Sequence, residues 1–340
     1  MADADAESVC SKIRVLTFDT TQVYKFPFHF RDAGSARSSY AVSGYLAVRF
    51  MARCAIKSCL MPRQVRMRRQ CAEEIAASGS EPLSCLEAWQ RAGHRALRPA
   101  ELGDLEPILT RCRTIRHDAE EERDRDSDRA KEFLHYVAVD QDFLAHPSLV
   151  RFALSEPILR AVSVYLGTVP VLASVALLWS PPETEGAKLT SSQRFHNDHE
   201  DTSQVKLFVH IDDVDSDCGV FTFHPAEATR RIRKALGTRG GRLDDAATAK
   251  VLPSEAPLTL MGPAGSAYFV DTSRCLHFGS RPAKKGRLLL LVQYLRCNSP
   301  AHSQLALGLD EKWAAESWSS LQRMVLGLRD VDRAAFHERS

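Results

Sequence analysis

Between residues 171 and 295 the chain reads as short apolar runs broken by turn chemistry, and this limits its possible folds more than any other feature. The runs fall at 171–179, 194–200, 205–211, 219–224, 258–261, 266–271, 276–280 and 287–295. Gly, Pro and Asp clusters separate most of them, and a longer helical and loop insertion occupies 227–256. The last run, Arg-Leu-Leu-Leu-Leu-Val-Gln-Tyr from residue 287, is apolar on both faces, as a strand covered on both sides must be. Eight short strands of this kind predict a closed or double-sheet β architecture. A jelly roll fits, because it sets the second and seventh strands side by side.

Helical spacing precedes the strands. Leu149, Phe152, Ala153, Ile158, Val162 and Leu166 recur at helical intervals, with an interruption near Pro157 and a stop at Gly167 and Pro170. Such a stripe packs against a sheet. The chain divides on this reading into a helical or irregular region 1–132, a β domain 133–300 and a helical tail 301–340. The first region holds a basic stretch, 37–69, in which Arg49, Arg53 and Lys57 form one stripe of a helix that Pro62 ends or kinks. A stripe like this is either a solvated helix face or a contact for a polyanion. Short helices broken at Pro99 and Pro107 follow, then a charged stretch, 117–131, expected as an exposed helix or a mobile loop.

A net charge of +2 gives no general attraction to nucleic acid, and the most apolar run, 169–179, is too short to span a bilayer. The nine cysteines include no Cys-x-x-Cys pair, and the acidic N-terminus is unlike a signal peptide. Reduced thiols in a cytoplasmic protein are the expectation. The oligomeric state is left open.

The chemistry lies in His196 and Asp198, one residue apart, and in His277 far along the chain. On a strand, residues two apart share a face, so 196 and 198 can grip one ion while His199 points away. Two imidazoles and a carboxylate are the ligand set of a non-haem Fe(II) facial triad. Alone, a His-x-Asp pair also describes two polar residues on a strand edge. Arg287 opens the apolar strand, where a buried guanidinium requires an anionic partner such as a planar carboxylate. It could equally point into solvent or pair with a protein carboxylate.

Taken together these residues resemble the phytanoyl-CoA dioxygenase family of Fe(II)/2-oxoglutarate-dependent oxygenases. The resemblance runs from about residue 134 to 295. It is carried by Gln-Arg-Phe-His-Asn-Asp-His-Glu-Asp (193–201), Lys-Leu-Phe-Val-His-Ile-Asp-Asp-Val (206–214), Gly-Val-Phe (219–221) and Asp-Thr-Ser-Arg-Cys-Leu-His-Phe-Gly (271–279). It implies a mainly β core, a double-stranded β-helix of jelly-roll, cupin-like form, flanked by N- and C-terminal α-helices. It implies that His196, Asp198 and His277 bind Fe(II) and that Arg287 holds the distal carboxylate of the cosubstrate 2-oxoglutarate, with Arg281 as its rival. Lys206 alternates with apolar neighbours. It therefore faces either the barrel interior, meeting cosubstrate or substrate, or the solvent. Gln193 is a further cofactor-binding candidate. His210 and His224 are expected to be structural.

The implied reaction consumes O2 and 2-oxoglutarate, releases succinate and CO2 and oxidises a small organic substrate. Related halogenases have a small residue in place of the carboxylate, so Asp198 favours hydroxylation or a related oxidation. Two other readings compete: a cupin-like metal enzyme or small-molecule barrel without 2-oxoglutarate, and a non-catalytic protein that binds a partner through the basic stretch.

Overall fold

The strand 287–295, apolar on both faces, lies at the interior of a sheet. In the computed structural model the strands are β1 (His94–Ala96), β2 (His135–Val139), β3 (Val171–Ser180), β4 (Val205–His210) and β5 (Thr222–His224). They continue with β6 (Leu258–Thr259), β7 (Ala267–Val270), β8 (Leu276–Phe278) and β9 (Arg287–Leu295). The structure describes residues 52, 54–56, 58–59, 61–79, 83–123, 133–182, 189–238, 240–299 and 317–327. Among these residues the strands build two antiparallel sheets, β1-β7-β4-β9-β3-β2 and β6-β5-β8. Leu291 of β9 stands opposite Ala176 of β3 on one side and Phe208 of β4 on the other.

Side chains alternate across the large sheet, which divides its residues between two environments. Leu288, Leu290, Val292 and Tyr294 join Val175, Leu177, Leu207, Val209 and Phe269 in the main core. The helices Pro147–Ala153 and Glu156–Leu166 cover this face through Leu149, Ile158, Leu159 and Val162. Each such buried aliphatic side chain contributes about 1.5–3 kcal/mol. On the other face, Leu289, Ala176, Leu178, Phe208 and Val270 pack with Phe221 and Phe223 beside the small sheet. By register this inner face also carries Lys206 and Gln293 towards one end, and His210 and Arg287 towards the other.

Two of the expected punctuation signals act as predicted. The helical stripe breaks between Ala153 and Glu156, and Gly167 ends the second helix in the left-handed region, at φ 63. Three prolines stand at helix starts. Residues 52, 54–56 and 58–59 are helical and the chain bends at Met61, so Pro62 parts that helix from the next, as expected. Pro62 and Pro99 each take the first position of a helix, and Pro107 the second. A proline lacks only an N–H that has no partner in the first turn. The helix Glu106–Arg123 thus runs into the charged stretch, whose remainder lies outside the described residues.

The segment 194–200 is not a regular strand. Phe195 and His196 form single bridges, to Leu243 and His277, and the chain then turns away. Two edge strands, β1 and β2, carry little strand signal of their own and take their form from β7 and β3. Arg49, Arg53 and Lys57 lie outside the described residues. Arg63, Arg66 and Arg69 are exposed on the helix Pro62–Ala77. Arg68 is buried, donating to Val169 O at 3.1 Å, to Pro170 O at 2.6 Å and to Met324 O. It fastens that helix to the start of β3 and to the C-terminal helix Ser320–Leu326. The main core draws on Trp89, Cys112 and Ile115 as well as Leu321 and Val325, so it spans the divisions at residues 132 and 300. No disulfide links the described cysteines. No described helix is long and apolar enough to cross a membrane.

Candidate metal centre

The bridge between His196 and His277 builds the site. Each donates its backbone N–H to the other's carbonyl at 2.8 Å, which sets the two imidazoles side by side with ring centroids 4.4 Å apart. The Asp198 N–H then reaches Thr272 O at 3.0 Å and turns its carboxylate back towards the rings. His196, Asp198 and His277 each offer a ligand atom, and these lie within 4.8 Å of one another. Asp198 Oδ1 is 3.8 Å from His196 Nε2, and Oδ2 is 3.7 Å from His277 Nε2.

The ring tautomers suit metal binding. His196 Nδ1 lies 2.9 Å from Arg194 O and His277 Nδ1 lies 2.9 Å from Cys275 O. A carbonyl can only accept, so each Nδ1 carries the proton and each Nε2 keeps its lone pair for a cation. Burial lowers the pKa of His196 and takes that of His277 down to about 4, leaving both neutral at neutral pH. Burial alone would raise the Asp198 carboxyl, but the Lys206 ammonium and His277 outweigh it and hold the group below its ordinary range. The trio can hold a divalent metal ion such as iron.

Outer residues keep the ligands in place. Arg233 donates twice to Asn197 Oδ1, at 2.9 and 3.2 Å, and to the carbonyls of Gly240 and Gly241, clamping the residue between two ligands. Gln293 Nε2 donates to Gln204 Oε1 at 2.7 Å, and Gln204 Nε2 to Thr272 Oγ1 at 2.9 Å. Asp271, just before Thr272, accepts from Tyr165 Oη at 2.9 Å and Ser203 Oγ at 2.6 Å. Arg296 binds Asp201, which anchors the far end of the ligand loop to β9. Sequence reasoning missed these partners. The period-2 spacing of Gln204 and Lys206 is the one signal that could have found Gln204. Arg233 lies on the insertion helix Ala226–Ala235, which carries no motif.

The other candidates separate clearly. Lys206 faces inward, its Nζ 2.7 Å from Asp198 Oδ2, with side chains 15% and 13% exposed. Arg287 is buried at 4% exposure, and among the described residues its guanidinium meets only Ser180 Oγ, at 3.5 Å, while Nε and Nη1 have no partner. Burial brings its pKa down to about 10. Gly286, just before β9, lies close against Trp179: a Cβ there would be 2.0 Å from its ring. Arg281 is fully engaged. It makes a two-point pair with Asp245 at 2.7 and 2.8 Å, donates to Gln193 O and lies over the Phe278 ring. The Gln193 side chain accepts from Thr190 N and closes a helical turn. His210 and His224 are buried away from the trio, and His199 is exposed.

No protein-family model matches the sequence, and no curated protein matches it. Solved structures that align with the chain include a non-heme alpha ketoglutarate dependent carbocyclase, SnoK, from nogalamycin biosynthesis. It is 18% identical over 64% of this chain and 84% of that one, with a TM-score of 0.46. The epimerase SnoN, in complex with Fe3+, alpha ketoglutarate and nogalamycin RO, is 16% identical over 63% and 85%, at 0.43. EctD from S. alaskensis with bound Fe is 12% identical over 64% and 77%, at 0.47.

Proposed function

We propose that this chain is an Fe(II)- and 2-oxoglutarate-dependent oxygenase of the phytanoyl-CoA dioxygenase type, built on a double-stranded β-helix. The strand order supports the fold. Counting the eight expected strands along the chain, the large sheet holds the sixth, third, eighth and first in that order. The small sheet holds the fifth, fourth and seventh, and the His196 bridge puts the second beside the seventh. That order supports the winding of a jelly roll.

The observation that carries the reading is the buried Arg287 guanidinium, without a carboxylate partner among the described residues, in a chain that also gathers a His-Asp-His trio. A fully buried guanidinium lacking a carboxylate is costly in any protein that does not bring one to it. A planar carboxylate of a cosubstrate satisfies its fork at two points. His196, Asp198 and His277 would hold the metal and leave its remaining positions open. Arg287 would bind the distal carboxylate of 2-oxoglutarate and orient its keto acid end towards the metal. Phe208, Phe221 and Leu289 pack together on this face and would keep water from it. When bound, the iron and cosubstrate supply the oxidising power: 2-oxoglutarate and O2 give succinate and CO2 while a C–H bond of a small organic substrate is oxidised. The protein's share is to bind, orient and keep the chamber dry.

Succinate formation from 2-oxoglutarate, with Fe(II) and O2 across a metabolite library, tests this directly. Arg287→Lys keeps a charge but loses the fork. It should raise the half-saturating 2-oxoglutarate concentration about 30-fold or more, as expected for a buried charge pair worth about 2 kcal/mol or more. Arg281→Ala should leave that concentration nearly unchanged. The reverse order would assign the cosubstrate to Arg281. Metal-dependent turnover that ignores 2-oxoglutarate would favour a cupin-like enzyme instead.

A further inference from the structure

Lys206 has no role in the reaction as outlined, yet its ammonium is seated on the carboxylate that a metal needs. Its Nζ lies 2.7 Å from Asp198 Oδ2, and both side chains are largely out of water. There, a lone ammonium or a lone carboxylate is costly, so each is the other's compensation. Oδ2 is therefore committed to Lys206. Oδ1, 3.8 Å from His196 Nε2, is the oxygen left for a metal.

Charge counting shows the consequence. With each Nδ1 proton held by a carbonyl, the form of each imidazole that can take a metal is the neutral one with a free Nε2 lone pair, and in that form Asp198 and Lys206 sum to zero. Arg233, bonded to Asn197 Oδ1 between two of the ligands, brings a further positive charge to this end. Arg287, towards the other end of the face, adds one positive charge in every state. A divalent cation alone therefore adds two positive charges to a sheltered site that holds no surplus negative charge. A chelating ligand with two negative charges returns the site to its starting value, whereas a neutral or singly charged ligand does not.

We propose that Lys206 couples metal binding to cosubstrate binding: it weakens the hold of the trio on a bare divalent cation and favours the cation together with a dicarboxylate dianion. This rests on the Fe(II)/2-oxoglutarate reading and deepens it. Lys206 acts through Asp198 and is a positioning residue. The coupling is reciprocal, so each partner tightens the other by the same factor. A unit charge in the contact range of a divalent ion is worth about tenfold in affinity even with water-like screening.

The test is titration of the full chain with Co2+, followed by its ligand-field absorption, without and with saturating 2-oxoglutarate. The Co2+–2-oxoglutarate complex in free solution is subtracted. Lys206→Gln should bind Co2+ alone about tenfold tighter than the wild type, and the tightening by 2-oxoglutarate should shrink by a similar factor. Lys206→Arg should keep the wild-type coupling. Lys206→Met serves as a second neutral variant, and thermal unfolding verifies that each variant is folded. Folded neutral variants with wild-type Co2+ affinity and undiminished coupling overturn the proposal alone, as does loss of coupling in folded Lys206→Arg. A wild-type protein that binds no Co2+ overturns the metal reading and this proposal with it.

Discussion

The two charged regions of the inner sheet face handle the same problem in opposite ways. Towards one end, Lys206 meets Asp198 at 2.7 Å and its charge is compensated within the protein. Towards the other, among the described residues, Arg287 reaches only Ser180 Oγ at 3.5 Å, the outer limit of a hydrogen bond, and two of its nitrogens have no partner. Phe208, Leu289 and Leu291 lie between them, so neither charge can borrow solvent from the middle. A paired charge stabilises what is already folded. An unpaired one is held ready for something that arrives later.

The contrast is broken most severely by removing a metal ligand. Asp198→Ala or His277→Ala should lower Co2+ or Fe(II) affinity by more than the roughly 10- to 100-fold typical of outer-shell changes, measured by equilibrium titration. Asn197→Ala, which loses only the Arg233 clamp, should stay within that smaller range.

Stability measurements then set the two ends against each other. Lys206→Met strands a buried carboxylate and should cost about 3 kcal/mol or more in chemical denaturation. Arg287→Met removes a buried charge that has no carboxylate partner among the described residues. It should leave stability unchanged or raise it by about 1 kcal/mol, even as cosubstrate binding is lost. Destabilisation of Arg287→Met as large as that of Lys206→Met would mean that Arg287 is a structural ion.

Legibility in the sequence followed how local the cause was. β9 could be read from its own apolar run, and the helix pair from spacing, Pro157 and Gly167. The convergence of His196, Asp198 and His277 was legible because a jelly roll sets the second and seventh strands together, although the 194–200 segment makes only single bridges. Lys206 was ambiguous, since alternation gives two faces without saying which is inward. Spacing from His277 ranks Arg287 ahead of Arg281; the pairing of Arg281 with Asp245, 36 residues away, is what no local pattern records. Arg68 was hidden inside a basic run, because burial against carbonyls from Val169, Pro170 and Met324 leaves no mark nearby. Edge strands β1 and β2 owe their form to partners, which no local pattern records.

A separate effect is the pH dependence of the metal-free protein. Burial lowers both His277 and His210 from the ordinary 6.5 to about 4, with Arg287 adding to the shift at His210. Between those values the unfolded chain binds more protons than the folded one, so stability rises with pH across the window and is lost as pH falls from about 6.5 towards 4. His210→Gln should flatten that slope without touching metal affinity, as read by denaturation at several pH values.

The most direct measurement is the absorption spectrum of the protein mixed anaerobically with Fe(II) and 2-oxoglutarate. A visible metal-to-ligand charge-transfer band that disappears in Asp198→Ala is the predicted result. A wild-type protein with no such band, and no succinate on admission of O2, would contradict the account.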